Sequence, residues 1–94
     1  MADLEIGKLY FLTGKKHEHV FFYLYDETRT RVIGELLPFK PFVVIDYQDY
    51  SRWRYLIKIL TDDGTLGWFV ATKHYTDLIK PSKELNDYEN SIIR

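Results

Sequence analysis

The 94-residue sequence contains no cysteine. Without a thiol, the chain cannot form a disulfide scaffold, a thiolate metal site or a cysteine nucleophile. It also has no apolar run long enough to cross a bilayer, and its first residues include neither a basic leader nor the apolar segment of a secretory signal. From these absences we expect a cytoplasmic protein with no membrane partner.

An excess of charge of one sign is absent as well. Thirteen Lys and Arg residues are balanced by fourteen Asp and Glu residues, so that the net charge is −1. A domain that neutralises phosphates normally carries a clear excess of positive charge. The balance therefore disfavours nonspecific nucleic-acid binding, although it leaves room for a local basic patch.

Residues that would support catalysis or metal binding are also scarce. His17 and His19 have the spacing at which two side chains of a strand project to one side, which suits metal binding. Even when the distant His74 is considered, no third ligand is identifiable. No glycine-rich phosphate loop or nucleophile motif occurs. Four aspartates beside predicted turns form no recognisable acid–base pair: Asp46, Asp49, Asp62 and Asp63. We therefore expect a protein that is not an enzyme and that has no cofactor or metal.

Apolar and aromatic residues are abundant by contrast. Hydrophobic residues make up 46% of the chain, which has eight Tyr, six Phe and two Trp. This composition is sufficient for a packed core and argues against disorder. The length corresponds to one domain.

Short apolar segments separated by turn residues recur along the chain. The clearest pair covers residues 53–60 and 66–70, which are joined by Asp62-Asp63-Gly64. An Asp-Gly turn between apolar strands predicts a hairpin, because a primed turn needs the positive φ that glycine adopts without steric cost. Further strands are predicted at residues 7–13, 20–25, 32–33, 42–47 and 77–80, with a bulge or a close backbone approach at Gly34 and a 3-10 turn at residues 72–75. Five or six such strands predict a small all-β barrel.

The last residues have a different pattern. Pro81 is predicted to end the barrel, so that residues 1–81 form the domain and residues 82–94 form a tail. In the tail, Leu85, Tyr88 and Ile92 recur at spacings of three and four, which predicts a short amphipathic helix. A helix of this length would form only by docking onto the barrel or a partner.

The motifs between residues 32 and 79 follow one another in a characteristic order. They are Val32-Ile33-Gly34-Glu35-Leu36, Phe42-Val43-Val44-Ile45, Trp53-Arg54-Tyr55-Leu56-Ile57, Asp63-Gly64 and Gly67-Trp68-Phe69, and then Ala71-Thr72-Lys73-His74-Tyr75 and Asp77-Leu78-Ile79. This order resembles that of the SH3-like barrel, and of bacterial SH3 domains most closely. The resemblance implies a five- to six-stranded barrel with a short 3-10 turn that acts as a noncatalytic binding module.

The resemblance also implies a ligand-binding face. In peptide-binding SH3 domains aromatic residues line the groove, and Tyr10, Trp53, Trp68 and Tyr75 match their positions. Tyr50 flanks the loop beside Trp53 and extends the same face. Flat aromatic faces suit a polyproline helix, which is preformed and loses little entropy on docking. We therefore predict a protein or peptide partner, as for small accessory proteins of phage or mobile elements that attach to a host protein.

Three other interpretations stay open. The tryptophans could belong to the core, because aromatic residues in a small barrel are often buried. Single-stranded nucleic acid could stack its bases on the same aromatics beside Arg52, Arg54 and Lys58, with binding that weakens steeply as salt rises. The chain could instead be a structural subunit of a larger assembly, with its tail or an open sheet edge buried.

Overall fold

A computed structural model describes residues 4–13, 22–72 and 78–85. Within these residues, seven strands form one antiparallel sheet that curls into a half-barrel. They are β1 (Leu9–Leu12), β2 (Phe22–Tyr25), β3 (Val32–Leu36), β4 (Phe42–Ser51), β5 (Arg54–Thr61), β6 (Leu66–Thr72) and β7 (Ile79–Pro81). The sheet order is β3-β2-β6-β5-β4-β1-β7. The predicted small all-β barrel is confirmed, with seven strands instead of five or six.

The centre of the sheet is a meander of β4, β5 and β6. These strands are the longest of the described chain and are rich in the β-branched and aromatic residues that favour strands. β4 continues to Ser51, beyond the end predicted at Tyr47, because its second half pairs with β5. The meander therefore forms a platform to which β1 and β7 are added on one side and β2 and β3 on the other.

Alternation along β5 and β6 gives this platform two different faces. The core covers the inner face, which carries Tyr55, Ile57 and Ile59 from β5 and Phe69 and Ala71 from β6, and all of them are buried. Successive side chains of a strand point to opposite faces, so the intervening residues lie on the other side of the sheet. Along β5, Tyr55, Ile57 and Ile59 therefore face the core, and Arg54, Leu56 and Lys58 lie on the other side.

Aromatic rings occupy the middle of the core. Phe69 contacts Phe22 and Phe42 edge to face, with ring centroids 5.4 and 6.1 Å apart. All three residues are buried. Because these phenylalanines come from β2, β4 and β6, their packing holds the β2 hairpin onto the meander.

Gly67 is required where β6 lies against its neighbouring strand β2. A Cβ atom at this position would lie 2.7 Å from the Leu24 side chain and 2.7 Å from the Tyr25 carbonyl oxygen. Atoms that close would force β2 to shift, so only glycine permits the observed approach. This contact places Tyr25 directly opposite Trp68.

The β5–β6 hairpin is confirmed, but its turn is not the predicted primed turn. The Thr61 N–H donates to the Thr65 carbonyl over 2.9 Å, and the Gly64 N–H donates to the Thr61 carbonyl over 3.1 Å. Among the loop residues, Gly64 alone has a positive φ, of 88°. A type I′ turn needs two consecutive residues with positive φ, so the loop is instead a three-residue turn that closes with a glycine bulge.

The predicted bulge near Gly34 is also present. Leu24 pairs with Gly34 and Tyr25 pairs with Val32, so that Ile33 has no partner on β2. Pro81 ends β7, as predicted, and a 3-10 turn follows at Ser82–Glu84. The predicted 3-10 turn at 72–75 begins inside β6, and its residues 73–75 lie outside the described residues, as do residues 86–94 of the predicted tail helix. No helix within the described residues has the length and apolar character needed to cross a membrane.

Candidate functional site

The side of the meander away from the core carries an unusual mixture of apolar, aromatic and basic side chains. Directly paired residues project to the same face, and Leu56 pairs with Val70, while Lys58 and Tyr25 both pair with Trp68. We call this surface the outer face and define it by six residues: Tyr25, Arg54, Leu56, Lys58, Trp68 and Val70.

Trp68 lies on this face beneath two cations. The Lys58 Nζ atom is 5.6 Å from the centre of its ring, and the Arg29 guanidinium carbon is 5.7 Å away. Cations at this distance are attracted to the negative face of an indole ring. Although only 9% of Trp68 is exposed, the residue is not part of the core cluster. Lys58 and Arg29 contribute to its cover, because long polar side chains can lie along an apolar surface while their charged ends stay in water.

Lys58 is held in place by an acidic partner. Its Nζ atom donates to Glu27 Oε2 over 2.9 Å. Glu27 belongs to the β2–β3 turn, so this ion pair ties the turn to the centre of β5. The charge of Lys58 is therefore largely compensated within the protein.

The β2–β3 turn places Arg29 over Trp68. The Arg29 N–H donates to the Asp26 carbonyl over 2.9 Å, and Arg29 has a φ of 61° in the left-handed region. This conformation is uncommon for a residue with a side chain and needs support from its surroundings. Asp26 Oδ1 provides this support by accepting hydrogen bonds from the Thr30 N–H, the Thr28 hydroxyl and the Arg31 N–H. These bonds, that from Thr30 above all, hold the pKa of Asp26 below its ordinary value.

Beside Trp68 the outer face opens into a cleft of about 620 Å³. The buried Leu56 and the half-buried Val70 form its floor, and Tyr50 at the end of β4 is 56% exposed. Arg29 and Arg54 also line the cleft, and neither forms an ion pair with any other described residue. The described residues that line it are Tyr25, Thr28, Arg29, Tyr50, Arg54, Leu56 and Val70.

Two polar atoms on the outer side of β6 have no hydrogen-bond partner among the residues that the structure describes. They are Trp68 Nε1 and Thr72 Oγ1, and both are buried. A buried donor without a partner costs free energy, on the order of 1–3 kcal/mol. The outer side of β6 therefore has buried polar atoms whose hydrogen-bonding capacity is unmet among the described residues.

The five predicted ligand-binding residues occupy different environments. Tyr50 lines the cleft, and Trp68 lies on the outer face next to it. Trp53 is 66% exposed at the tip of the β4–β5 hairpin, with the Arg52 guanidinium carbon 5.2 Å from its ring centre, but it does not line the cleft. Tyr10 lies in the core rather than on this surface, and its hydroxyl accepts a hydrogen bond of 2.8 Å from the Glu5 N–H. Tyr75 is outside the described residues.

Sequence reasoning missed five residues of the cleft: Tyr25, Thr28, Arg29, Leu56 and Val70. For Leu56 a signal was present, because it is an apolar residue at a position of β5 that alternation assigns to the charged side. An apolar residue on that side indicates a second apolar surface. The position of Arg29 depends on the pairing of β2 with β6, which no local pattern predicts.

The described ranges contain no cluster of three or more His, Cys, Asp or Glu side chains suited to a metal ion. His17, His19 and His74 all lie outside those ranges. The outer face therefore offers aromatic stacking, apolar contact and guanidinium hydrogen bonds as its chemistry.

Comparison of the chain with protein-family models, with curated proteins and with solved structures gives no match.

Proposed function

We propose that this protein is a noncatalytic protein-binding module and that the cleft on the outer face is its binding site. One observation carries the proposal: the exposed Tyr50 lines one cleft together with the apolar Leu56 and Val70 and with two arginines that have no ion-pair partner among the described residues. Tyr and Arg are enriched among the residues that dominate binding at protein interfaces.

The cleft provides both parts of a protein-binding surface. The half-buried Val70, next to the buried Leu56, provides apolar area that a partner can cover, and Tyr25 and Tyr50 provide rigid rings with polar tips. Arg29 and Arg54 provide directional hydrogen bonds at the border. Among the described residues that line the cleft there is no carboxylate.

We further propose that the barrel is of the SH3-like type, closest to bacterial SH3 domains, and that it acts in the cytoplasm. The motif order supports the family: Val32-Ile33-Gly34-Glu35-Leu36 forms β3, Phe42 begins β4, Trp53 precedes β5, and Gly67-Trp68-Phe69 lies in β6. A small accessory protein of a phage or mobile element that attaches to a host protein would fit such a module.

Single-stranded nucleic acid is the second candidate ligand. The observation that favours it is the grouping of Arg29 and Arg54 with Tyr25 and Tyr50 in one cleft, since bases stack on aromatic rings beside cations. Phosphate-driven binding falls steeply with salt, whereas binding through apolar contacts changes little.

Affinity capture with surface variants tests the proposal. We expect Tyr50→Ala to lose a protein that the wild type captures from a lysate, because a central aromatic contact typically contributes more than about 2 kcal/mol. The matched control is Ile6→Ala, which removes an exposed apolar side chain (62% exposed) near Val44, toward the other end of β4.

A third variant separates the two exposed aromatic sites. If Trp53→Ala abolishes capture and Tyr50→Ala does not, the hairpin tip is the binding site and the cleft is not. If Tyr50→Ala and Trp53→Ala both capture the same proteins as the wild type, neither the cleft nor the hairpin tip is the binding site. Thermal unfolding of each variant shows whether a loss of capture reflects a loss of structure.

A further inference from the structure

We propose that the cleft binds an extended acidic segment of the partner protein, with carboxylates at positions i and i+4 and an apolar side chain at i+2. This inference rests on the proposed function and specifies its ligand. In the proposed complex, Arg29 and Arg54 bind the two carboxylates, and the half-buried Val70 contacts the apolar side chain between them.

The charges of the outer face favour an acidic ligand. Lys58 already pairs with Glu27 over 2.9 Å, and this is the ion pair found among the described residues. Arg29 and Arg54 have no such partner there, and both line the cleft. A guanidinium group can form two parallel hydrogen bonds with one carboxylate, which makes arginine well suited to this recognition.

Arg29 is already positioned for binding. Its backbone is fixed by the turn hydrogen bond to Asp26, and its guanidinium lies over the ring of Trp68 at 5.7 Å. A side chain that is ordered before binding loses less conformational entropy when a ligand arrives.

The strand register sets the expected spacing of the two carboxylates. Arg29 lies above Trp68, which pairs with Lys58, and Arg54 is four residues from Lys58 along β5. At about 3.3 Å per residue, this separation is roughly 13 Å. An extended peptide covers the same distance in about four residues, with i, i+2 and i+4 on one face. The apolar residue at i+2 would then lie over Leu56, which is between the two arginines.

The same charges disfavour a continuous phosphate backbone. Single-stranded nucleic acid has one negative charge per nucleotide and is normally bound along a basic track. Here the basic track is interrupted, because Glu27 forms an ion pair with Lys58. In addition, the acidic Asp46 lies opposite Lys58 in the register of β4 and β5. A net charge of −1 gives no long-range attraction for such a ligand.

The test uses Trp68 fluorescence in a Trp53→Phe background, where Trp68 is the single tryptophan. The full chain is titrated with a capped peptide that contains Asp-Ser-Leu-Ser-Asp, with its Asn-Ser-Leu-Ser-Asn analogue, and with its Lys-Ser-Leu-Ser-Lys analogue. We expect the acidic peptide to bind at least about tenfold more tightly than the other two, because each loses charge-assisted hydrogen bonds. Adjacent aspartates in an otherwise identical peptide should reduce the affinity, since one of them leaves the binding face.

Arginine variants assign the effect to the cleft. Arg54→Gln should reduce the affinity for the acidic peptide by about tenfold and leave the affinity for the Asn analogue unchanged. The matched control is Arg31→Gln, which removes an exposed arginine of the same turn as Arg29 that does not line the cleft. Equal effects of the two variants would overturn the assignment, because a general change in net charge would explain them.

The remaining outcomes separate the ligand class from the function. If all three peptides bind equally and Tyr50→Ala weakens each of them, the acidic preference is wrong and the binding module stands. If no peptide binds at millimolar concentration, the ligand class is wrong, and capture with the Tyr50 variant judges the function separately. If oligothymidylate binds with a steep salt dependence and the peptides do not, both proposals fail.

Discussion

The inner face of β5 and β6 is buried along most of its length, whereas the outer face is buried only at Leu56 and Trp68. On the inner face, Ile57 and Phe69 are completely buried by apolar side chains from other strands. On the outer face, Leu56 is 2% exposed and Trp68 9% exposed, yet Trp68 is covered by Lys58 and Arg29. Long polar side chains can move aside or exchange partners, whereas a packed core cannot. The burial of Trp68 is therefore compatible with ligand binding on the outer face.

Truncation of a core ring should cause the largest loss of stability. Phe69→Ala removes a fully buried ring that contacts Phe22 and Phe42, and we expect it to lower the free energy of unfolding by about 3–5 kcal/mol. Urea unfolding followed by circular dichroism measures this change. The neighbouring Val70→Ala on the outer face is the control and should cost much less. If the two substitutions cost the same, the outer face is a second core.

A methyl group at Gly67 should have the second largest effect. Gly67→Ala places a Cβ atom 2.7 Å from both the Leu24 side chain and the Tyr25 carbonyl, where backbone must move. We expect a loss of about 1–3 kcal/mol in the free energy of unfolding, typical of overpacking. Because the shift displaces β2 from β6, the fluorescence of Trp68 should also change. Gly34→Ala is the control, since its Cβ would meet no atom within 4 Å. An unchanged stability of the Gly67 variant would show that β2 tolerates a different position.

The sequence predicted the parts of the fold that depend on local alternation. The β5–β6 hairpin and the inner-face residues Tyr55, Ile57 and Ile59 follow from period-two patterning, which the structure retains. The type of turn did not follow, because it depends on the pairing of Thr61 with Thr65 as well as on glycine. Local sequence contains the conformational preference of a residue but not the register that selects among compatible turns.

The candidate site was only partly predictable for a related reason. Aromatic residues attract attention in any short sequence, and Tyr50 and Trp68 were identified in this way. Their environments differ, however, because the β2–β3 turn brings Arg29 over Trp68 through a contact between residues distant in sequence. Tyr10 shows the opposite error, since a tyrosine that resembles a ligand contact is a core residue with a bonded hydroxyl. Long-range pairing decides which aromatic side chains face the core.

Replacement of Trp68 by phenylalanine sharpens the comparison further. Phenylalanine keeps an aromatic face for Lys58 and Arg29 but removes Nε1, which is buried without a partner among the described residues. Removing an unsatisfied donor offsets the loss of apolar area, so we expect stability to change by less than about 1 kcal/mol. Urea unfolding of Trp68→Phe, compared with Trp53→Phe at the exposed tip, measures the difference. A decrease of several kcal/mol in the free energy of unfolding would show that the indole N–H has a hydrogen-bond partner in the folded protein and that this bond stabilises the fold.

Acid should release the β2–β3 turn, with the smallest effect on overall stability. Hydrogen bonds from the Thr30 N–H and its neighbours lower the pKa of Asp26 below the ordinary value of 3.8. The stabilisation by a carboxylate with a lowered pKa is complete above its ordinary value and is lost as the pH falls through the lower value of the folded state. We therefore expect Asp26→Asn to melt at a lower temperature than the wild type near neutral pH, and the gap to close below pH 3.8. A gap that does not depend on pH would mean that the Asp26 charge does not hold the turn, and that backbone bonds alone keep Arg29 above Trp68.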